Sequence, residues 1–163
     1  MWHSTIRLTA PGTLEHRDLA VRVVAEACRL VSGGVAARAE GDSSVDVGYD
    51  LRHPFDAAFV SAFAEIFNNI AIHAYARKGG GEVEILIEAT PEQLVVDVID
   101  NGTPFDIDQV PEPALDELPE GGMGIHIART MLDEIDYKPG PPNRWRLRKR
   151  FDQPVAQAGG GQQ

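Results

Sequence analysis

The chain has 163 residues, 43% of them hydrophobic, and a formal net charge of −10. That length suits one domain with a real core, and the acidic balance argues against general binding to nucleic acid or to anionic membrane, which need a basic face. Its one cysteine, Cys28, excludes an internal disulfide framework or a cysteine zinc cluster, and fits a reducing compartment with the thiol in a helix core.

The N-terminus has no basic-then-apolar signal, and no apolar run reads as approaching membrane-spanning length, so the expectation is a soluble cytoplasmic protein. Residues 4–9 alternate as a short strand that Pro11-Gly12 stops. Leu19, Val23, Ala27 and Leu30 recur at helical spacing over residues 14–32, and Gly33-Gly34 ends that run. Residues 35–53 are polar, with Val45, Val47, Tyr49 and Leu51 alternating, so a further short strand and an ordered loop both stand open.

Pro54 suits the first turn of a helix over about 55–77, with Phe55, Phe59, Phe63, Ile66, Phe67 and Ile70 on one face. Gly79-Gly80-Gly81 ends it. Two strands follow, 82–89 and 93–100, joined by Thr90-Pro91-Glu92. Residues 101–121 form a long acidic loop with four prolines and no basic residue, and loops of that length tend to be functional or mobile. A helix over about 122–134 and strands 135–138 and 144–151, around a turn at 139–143, complete the domain. Residues from Asp152 read as a disordered tail.

Three pieces carry chemistry. At about 100° per residue, Glu65, Asn69 and His73 fall along one stripe at the border of the phenylalanine face. A solvated helix face would explain Glu65 alone, and a carbonyl-bonded border histidine would explain His73. Asn68-Asn69 in mid-helix is harder to explain, because asparagine amides compete for backbone bonds. An amide oxygen is also a suitable hard ligand for Mg²⁺. Asp100-Asn101-Gly102 ends an apolar strand. Asn-Gly is a strong hairpin signal, yet Thr103-Pro104-Phe105-Asp106 does not read as a returning strand. A carboxylate is acceptor-only and could take the exocyclic amine of adenine, with Gly102 letting the base approach the backbone. Gly121-Gly122-Met123-Gly124 opens an amphipathic helix, whose free N–H groups suit phosphate oxygens. A bare glycine loop is weak alone, and it is neither a Walker loop nor a dinucleotide fingerprint. His3, His16, His53 and His126 show no ligand spacing, so no transition metal is expected.

Residues from about 58 to 151 resemble the ATPase domain of the GHKL superfamily, and more narrowly the anti-sigma-factor serine kinases of bacterial partner-switching systems. Glu65, Asn69, His73 and Ala74 match the box Glu-x-x-x-Asn-x-x-x-His-Ala. Asp100, Gly102, Pro104, Phe105 and Asp106 match Asp-x-Gly-x-Pro-Phe-Asp. Gly122, Gly124 and Leu132-Asp133-Glu134 match the glycine box and the end of its helix. The resemblance implies one GHKL-type domain over residues 1–151: a two-layer α/β sandwich (α+β) with a mixed, mostly antiparallel sheet and helices on one face. It implies Mg-ATP as cofactor, with Asn69 on Mg²⁺ and Asp100 on adenine. Gly122, Met123, Gly124 and Ile125 would lie at the phosphates, His73, Gly102 and Thr130 elsewhere in the pocket, and Glu65 would be the base for a serine hydroxyl. Arg77, Lys78 and Arg129 are the nearest cations for phosphate charge.

Two departures stand out. Where the family has Gly-Thr near the last strand, this chain reads Pro142-Asn143-Arg144-Trp145, which leaves Thr130 as the candidate hydroxyl. Residues 33–53 look like an insertion. The function implied is a serine/threonine protein kinase that phosphorylates a STAS-domain anti-anti-sigma partner and sequesters a sigma factor. The alternative is a regulator, ATP-binding or nucleotide-free, that acts by docking alone. A homodimer through residues 3–32 is expected, the acidic loop is a candidate docking element, and no helical hairpin with a phosphorylatable histidine supports a histidine kinase.

Overall fold

A computed structural model describes residues 2–32, 53–75, 80–105 and 128–151. The expectations for residues 33–52, 76–79, 106–127 and 152–163 lie outside these, among them the alternating run at 45–51, Arg77, Lys78, most of the acidic loop, the glycine box and the tail.

The elements are strand β1 (Ser4–Pro11), helix α1 (Leu14–Ser32), helix α2 (Pro54–Asn69) running into one π-helical turn (Ile70–Ala74), and strands β2 (Glu82–Ala89), β3 (Gln93–Asp100), β4 (Glu134–Lys138) and β5 (Asn143–Arg150). Residues 128–131 are helical. The strands form one sheet in the order β1-β2-β3-β5-β4, and every pair among them is antiparallel. The expected mostly antiparallel sheet thus has no parallel pair among the described strands.

The register sorts the sheet's two faces. Ile6, Ile87, Val96, Leu147 and Ile135 share one row, and Leu8, Ile85, Val98, Trp145 and Tyr137 the next. This face carries the core. Successive strand residues alternate faces, so the β2 pattern Val83, Ile85, Ile87, Ala89 is wholly buried. Against it lie the buried residues of α1 (Ala20, Val24, Ala27, Cys28, Val31) and of α2 (Phe55, Phe59, Phe63, Ile66, Phe67). Burying each large side chain is worth roughly 1.5–3 kcal/mol, and this phenylalanine face fixes α2 on the sheet.

Local chemistry sets the element ends. His53 caps α2 by accepting the Phe55 N–H on Nδ1 at 3.2 Å, and Pro54 occupies the first turn, where no intrahelical donor is needed. Between β2 and β3, Thr90 Oγ1 accepts from the N–H groups of Glu92 (3.3 Å) and Gln93 (3.2 Å), closing the turn. The helix expected over 55–77 departs from α geometry after Asn69. In a continuing α-helix the Ala74 carbonyl would serve residue 78; here it accepts the Thr103 N–H at 2.8 Å. That long-range bond takes the helix end into a wide turn closed by Tyr75 N–H on the Ile70 carbonyl at 3.2 Å.

The run Pro54–Ala74 is long and apolar enough by length and composition to cross a membrane, which corrects the sequence expectation that no run approaches that length. Half of it is buried inside the protein, and the phenylalanine face described above accounts for its apolarity.

The sheet's other face carries Asp97 under Arg144 and Arg146. Arg146 lies directly across the β3–β5 pair from Asp97, which accepts from its Nε at 2.8 Å and its guanidinium NH2 group at 2.9 Å, and also from Arg144. Burial pushes the Asp97 carboxyl up, but the hydrogen bonds and charges of Arg146 and Arg144 outweigh it and hold the carboxyl below its ordinary value. A lowered carboxylate pKa stabilises fully above the unfolded value of about 3.9 and stabilises less as pH falls through the folded one. Because both arginine side chains are over 40% exposed, the effect should be at most on the order of 1 kcal/mol. Urea melts from pH 7 to pH 2 should show Asp97→Asn losing less stability on acidification than the wild type, and parallel acid profiles would exclude this ion cluster as a source.

Candidate nucleotide-binding site

The bond from Thr103 N–H to the Ala74 carbonyl joins the two halves of the expected site. It brings the end of β3, with Asp100 and Gly102, against the turn that follows the helix bearing Glu65 and Asn69. The approach is close: a Cβ placed on Gly102 would lie 2.5 Å from the Ala74 carbonyl oxygen. A glycine is therefore needed here for backbone contact between the two segments.

Asp100 is buried, 2% exposed. Its Oδ1 accepts the Gly102 N–H at 2.9 Å and an Asn143 amide hydrogen at 2.9 Å. Its Oδ2 takes no hydrogen bond among the described residues. Asn143, 1% exposed, is the first residue of β5 and lies directly across from Asp100. It also donates to the Gly102 carbonyl at 2.9 Å and accepts the Gly140 N–H at 2.9 Å.

Two tyrosines brace the strand end. The Tyr75 hydroxyl donates to the Glu82 carbonyl at 2.7 Å and accepts the Asn101 N–H at 3.0 Å. The Tyr137 hydroxyl accepts the Phe105 N–H at 2.7 Å, and the Phe105 ring rests against Tyr137 and Trp145, with centroids 6.4 and 5.9 Å away. Burial pushes both hydroxyls up, opposed by the hydrogen bonds they accept and reinforced by the Asp100 carboxylate. Both tyrosines therefore stay neutral, and the Asp100 charge is flanked by dipoles.

Glu65 and Asn69 are half-buried on one stripe of α2, and neither side chain bonds to a described residue. His73 lies on the π-helical turn that follows Asn69 and is exposed. Thr130 and Arg129 are exposed on the helical residues 128–131; the polar group beside Asp100 is the Asn143 amide. Gly122, Met123, Gly124 and Ile125 lie outside the described residues.

Sequence reasoning missed Asn143, Tyr75 and Tyr137 as parts of this site. The register is what finds Asn143: inward-facing Val96, Val98 and Asp100 run antiparallel to Leu147, Trp145 and Asn143, so once Val98 is paired with Trp145, counting back by twos puts Asn143 opposite Asp100.

The residues fit the groups the resemblance implies. A buried carboxylate with one oxygen held and the other without a partner among the described residues suits an exocyclic amine, and the Asn69 amide, which bonds to no described residue, suits a hard cation that keeps water and phosphate oxygens. The profile of the histidine kinase-like ATPase domain matches residues 10–149. The chain is 33% identical over 115 residues to "Serine-protein kinase RsbW" of Bacillus subtilis (strain 168), covering 66% of each chain. Its namesake in Bacillus velezensis is 32% identical at the same coverage, and that of Bacillus pumilus is 31% identical over 68% of each chain. The chain thus spans about two thirds of the length of these relatives. With that match laid over the sheet, the helix stripe and the Asp100 strand end, the chain belongs to the histidine kinase-like ATPase domain family.

Proposed function

We propose that the protein is an anti-sigma-factor-type serine/threonine protein kinase of the cytoplasm, which binds Mg-ATP, phosphorylates a STAS-domain anti-anti-sigma partner and sequesters a sigma factor. The observation that carries this reading is the Asp100 carboxylate, fixed at the end of β3 against the turn that follows Glu65 and Asn69. The likeness to proteins named serine-protein kinase supports the reaction type, and the GHKL-type boxes support the partners.

Phosphoryl transfer asks a protein mainly for positioning and charge neutralisation. Bound Mg-ATP would supply the phosphoryl group, and the metal would neutralise its charge. Asp100 holds the base end by accepting from its amine, and Gly102 keeps that strand end close to α2. Asn69 offers its amide oxygen to the metal. Gly122, Met123, Gly124 and Ile125 are proposed to give backbone N–H groups to the phosphates. Glu65 accepts the proton from the partner's serine hydroxyl. His73 is proposed elsewhere in the pocket, Arg129 near phosphate charge, and Thr130 as a hydroxyl toward the base. Incubating the purified protein with radiolabelled Mg-ATP and a STAS-domain protein from the same genome tests the reading. Label should pass to a serine or threonine of the partner. ATP binding without transfer to any such partner would favour the docking-only regulator.

The same reading includes a homodimer through residues 3–32. β1 is an edge strand with one row of backbone groups unpaired among the described strands, and a groove lined by Ile6, Val23, Ala27 and Leu30, with Arg22 and Glu26, lies beside it. A second copy of β1 added antiparallel would extend the sheet and cover that groove on both protomers. Light scattering at micromolar concentrations should give twice the chain mass, and a charged residue at Ile6 should halve it. A monomer throughout would exclude this interface.

A further inference from the structure

We propose that Asn143 is the positioning residue that sets base selectivity in this pocket, by holding the Asp100 carboxylate so that only Oδ2 faces the ligand. The inference rests on the reading of the site as an ATP pocket and concerns a position where this chain departs from the Gly-Thr of the domains it resembles.

The hydrogen bonds leave Asn143 a single orientation. The Gly140 N–H is a donor, so the atom facing it must be the amide oxygen. The Asp100 carboxylate and the Gly102 carbonyl are acceptors, so the atom between them must be the NH2 group, with one hydrogen for each. Both amide hydrogens are committed and the residue is only 1% exposed, so it does not donate to a ligand. Its effect runs through Asp100. With the Gly102 N–H, it fills Oδ1 with two donors and fixes the carboxylate plane, which leaves Oδ2 as the carboxylate oxygen with no bond from a described residue. Adenine presents an amine donor where guanine presents a carbonyl acceptor. A fixed lone acceptor therefore accepts the first and repels the second, whereas a carboxylate free to rotate could recruit water and discriminate less.

The turn is built to keep this clip. A Cβ placed on Gly140 would lie 1.9 Å from the Pro142 carbonyl oxygen, so the tight path that delivers the Gly140 N–H to Asn143 needs glycine. Asn143 also ties three chain segments together: the end of β3 at Asp100, the segment beyond it at Gly102, and the turn before β5 at Gly140.

The test is calorimetry with ATP and with GTP on the wild type, N143A and N143D, alongside thermal melts without nucleotide. N143D keeps the side chain's shape and its acceptor for Gly140, but it removes both donors and sets a second carboxylate against Asp100. Removing one buried partner should weaken ATP binding about tenfold to a hundredfold, with the preference for ATP over GTP shrinking in step. A purely structural role would lower the melting temperature and weaken both nucleotides equally. A readout that needs no variant is the scalar coupling across the hydrogen bond from Asn143 Nδ2 to the Asp100 carboxyl carbon in the wild type. It should be present without nucleotide and persist when ATP binds. Loss of that coupling in the ATP complex, or unchanged selectivity in a folded variant, overturns the inference while leaving the ATP site standing. Failure of the wild type to bind ATP overturns the site reading first, and this inference with it.

Discussion

Glu65→Gln is expected to leave Mg-ATP binding nearly intact and to slow phosphoryl transfer to the STAS partner by about 10²–10⁴-fold, the usual contribution of a positioned general base. The substitution keeps the side chain's size on a half-buried stripe of α2 and removes only its charge and its ability to accept a proton. No described residue bonds to the Glu65 side chain, so the change breaks no structural contact among them, and the protein should fold as before. A neutral amide cannot take the serine proton, so the loss should fall on the transfer step. Single-turnover transfer of radiolabel at saturating Mg-ATP, compared between wild type and variant, decides it. Equal rates would remove Glu65 from the mechanism. A loss of ATP affinity as large as the loss of rate would instead make Glu65 a binding residue.

Elements whose pattern is local were legible in the sequence. The strands at 82–89 and 93–100 fall as expected, because the alternation of Val83, Ile85 and Ile87, the apolar runs Leu94-Val95-Val96 and Val98-Ile99, and a Thr-Pro-Glu turn leave the chain little choice. The α2 core face followed from its phenylalanine spacing. The π-helical turn was not legible, since Ile-Ala-Ile-His-Ala reads as a continuing helix and the cause of the turn is a hydrogen bond from Thr103, far along the chain. The identities of Glu65, Asn69 and Asp100 as site candidates came from motif spacing. The reason Asp100 is oriented did not, because it depends on pairing Asp100 with Asn143 across two strands that are 43 residues apart. Proline and asparagine before Arg144 looked like ordinary turn chemistry, and only the register turns that asparagine into part of the pocket.

The arrangement at Asp100 also determines how the adenine contact is best tested. Asp100→Ala would remove the acceptor for the base, but it would also strand the Gly102 N–H and the Asn143 amide in a buried site, mixing a folding defect with a binding one. Asp100→Asn separates them. Its carbonyl oxygen can keep both donors now on Oδ1, while its NH2 group replaces Oδ2 and meets the adenine amine donor to donor. ATP affinity should then fall by about 1–3 kcal/mol, as for a buried hydrogen-bond partner turned unfavourable, with the melting temperature little changed and GTP gaining relative to ATP. Asn69→Ala should behave differently. The loss there should appear only with Mg²⁺ present, because the amide is proposed to serve the metal and its side chain bonds to no described residue. Calorimetry with ATP, with and without Mg²⁺, on both folded variants resolves the two roles. Affinities unchanged in both would mean that the nucleotide, if bound, sits elsewhere, and a magnesium-independent loss at Asn69 would move that residue from the metal to the nucleotide itself.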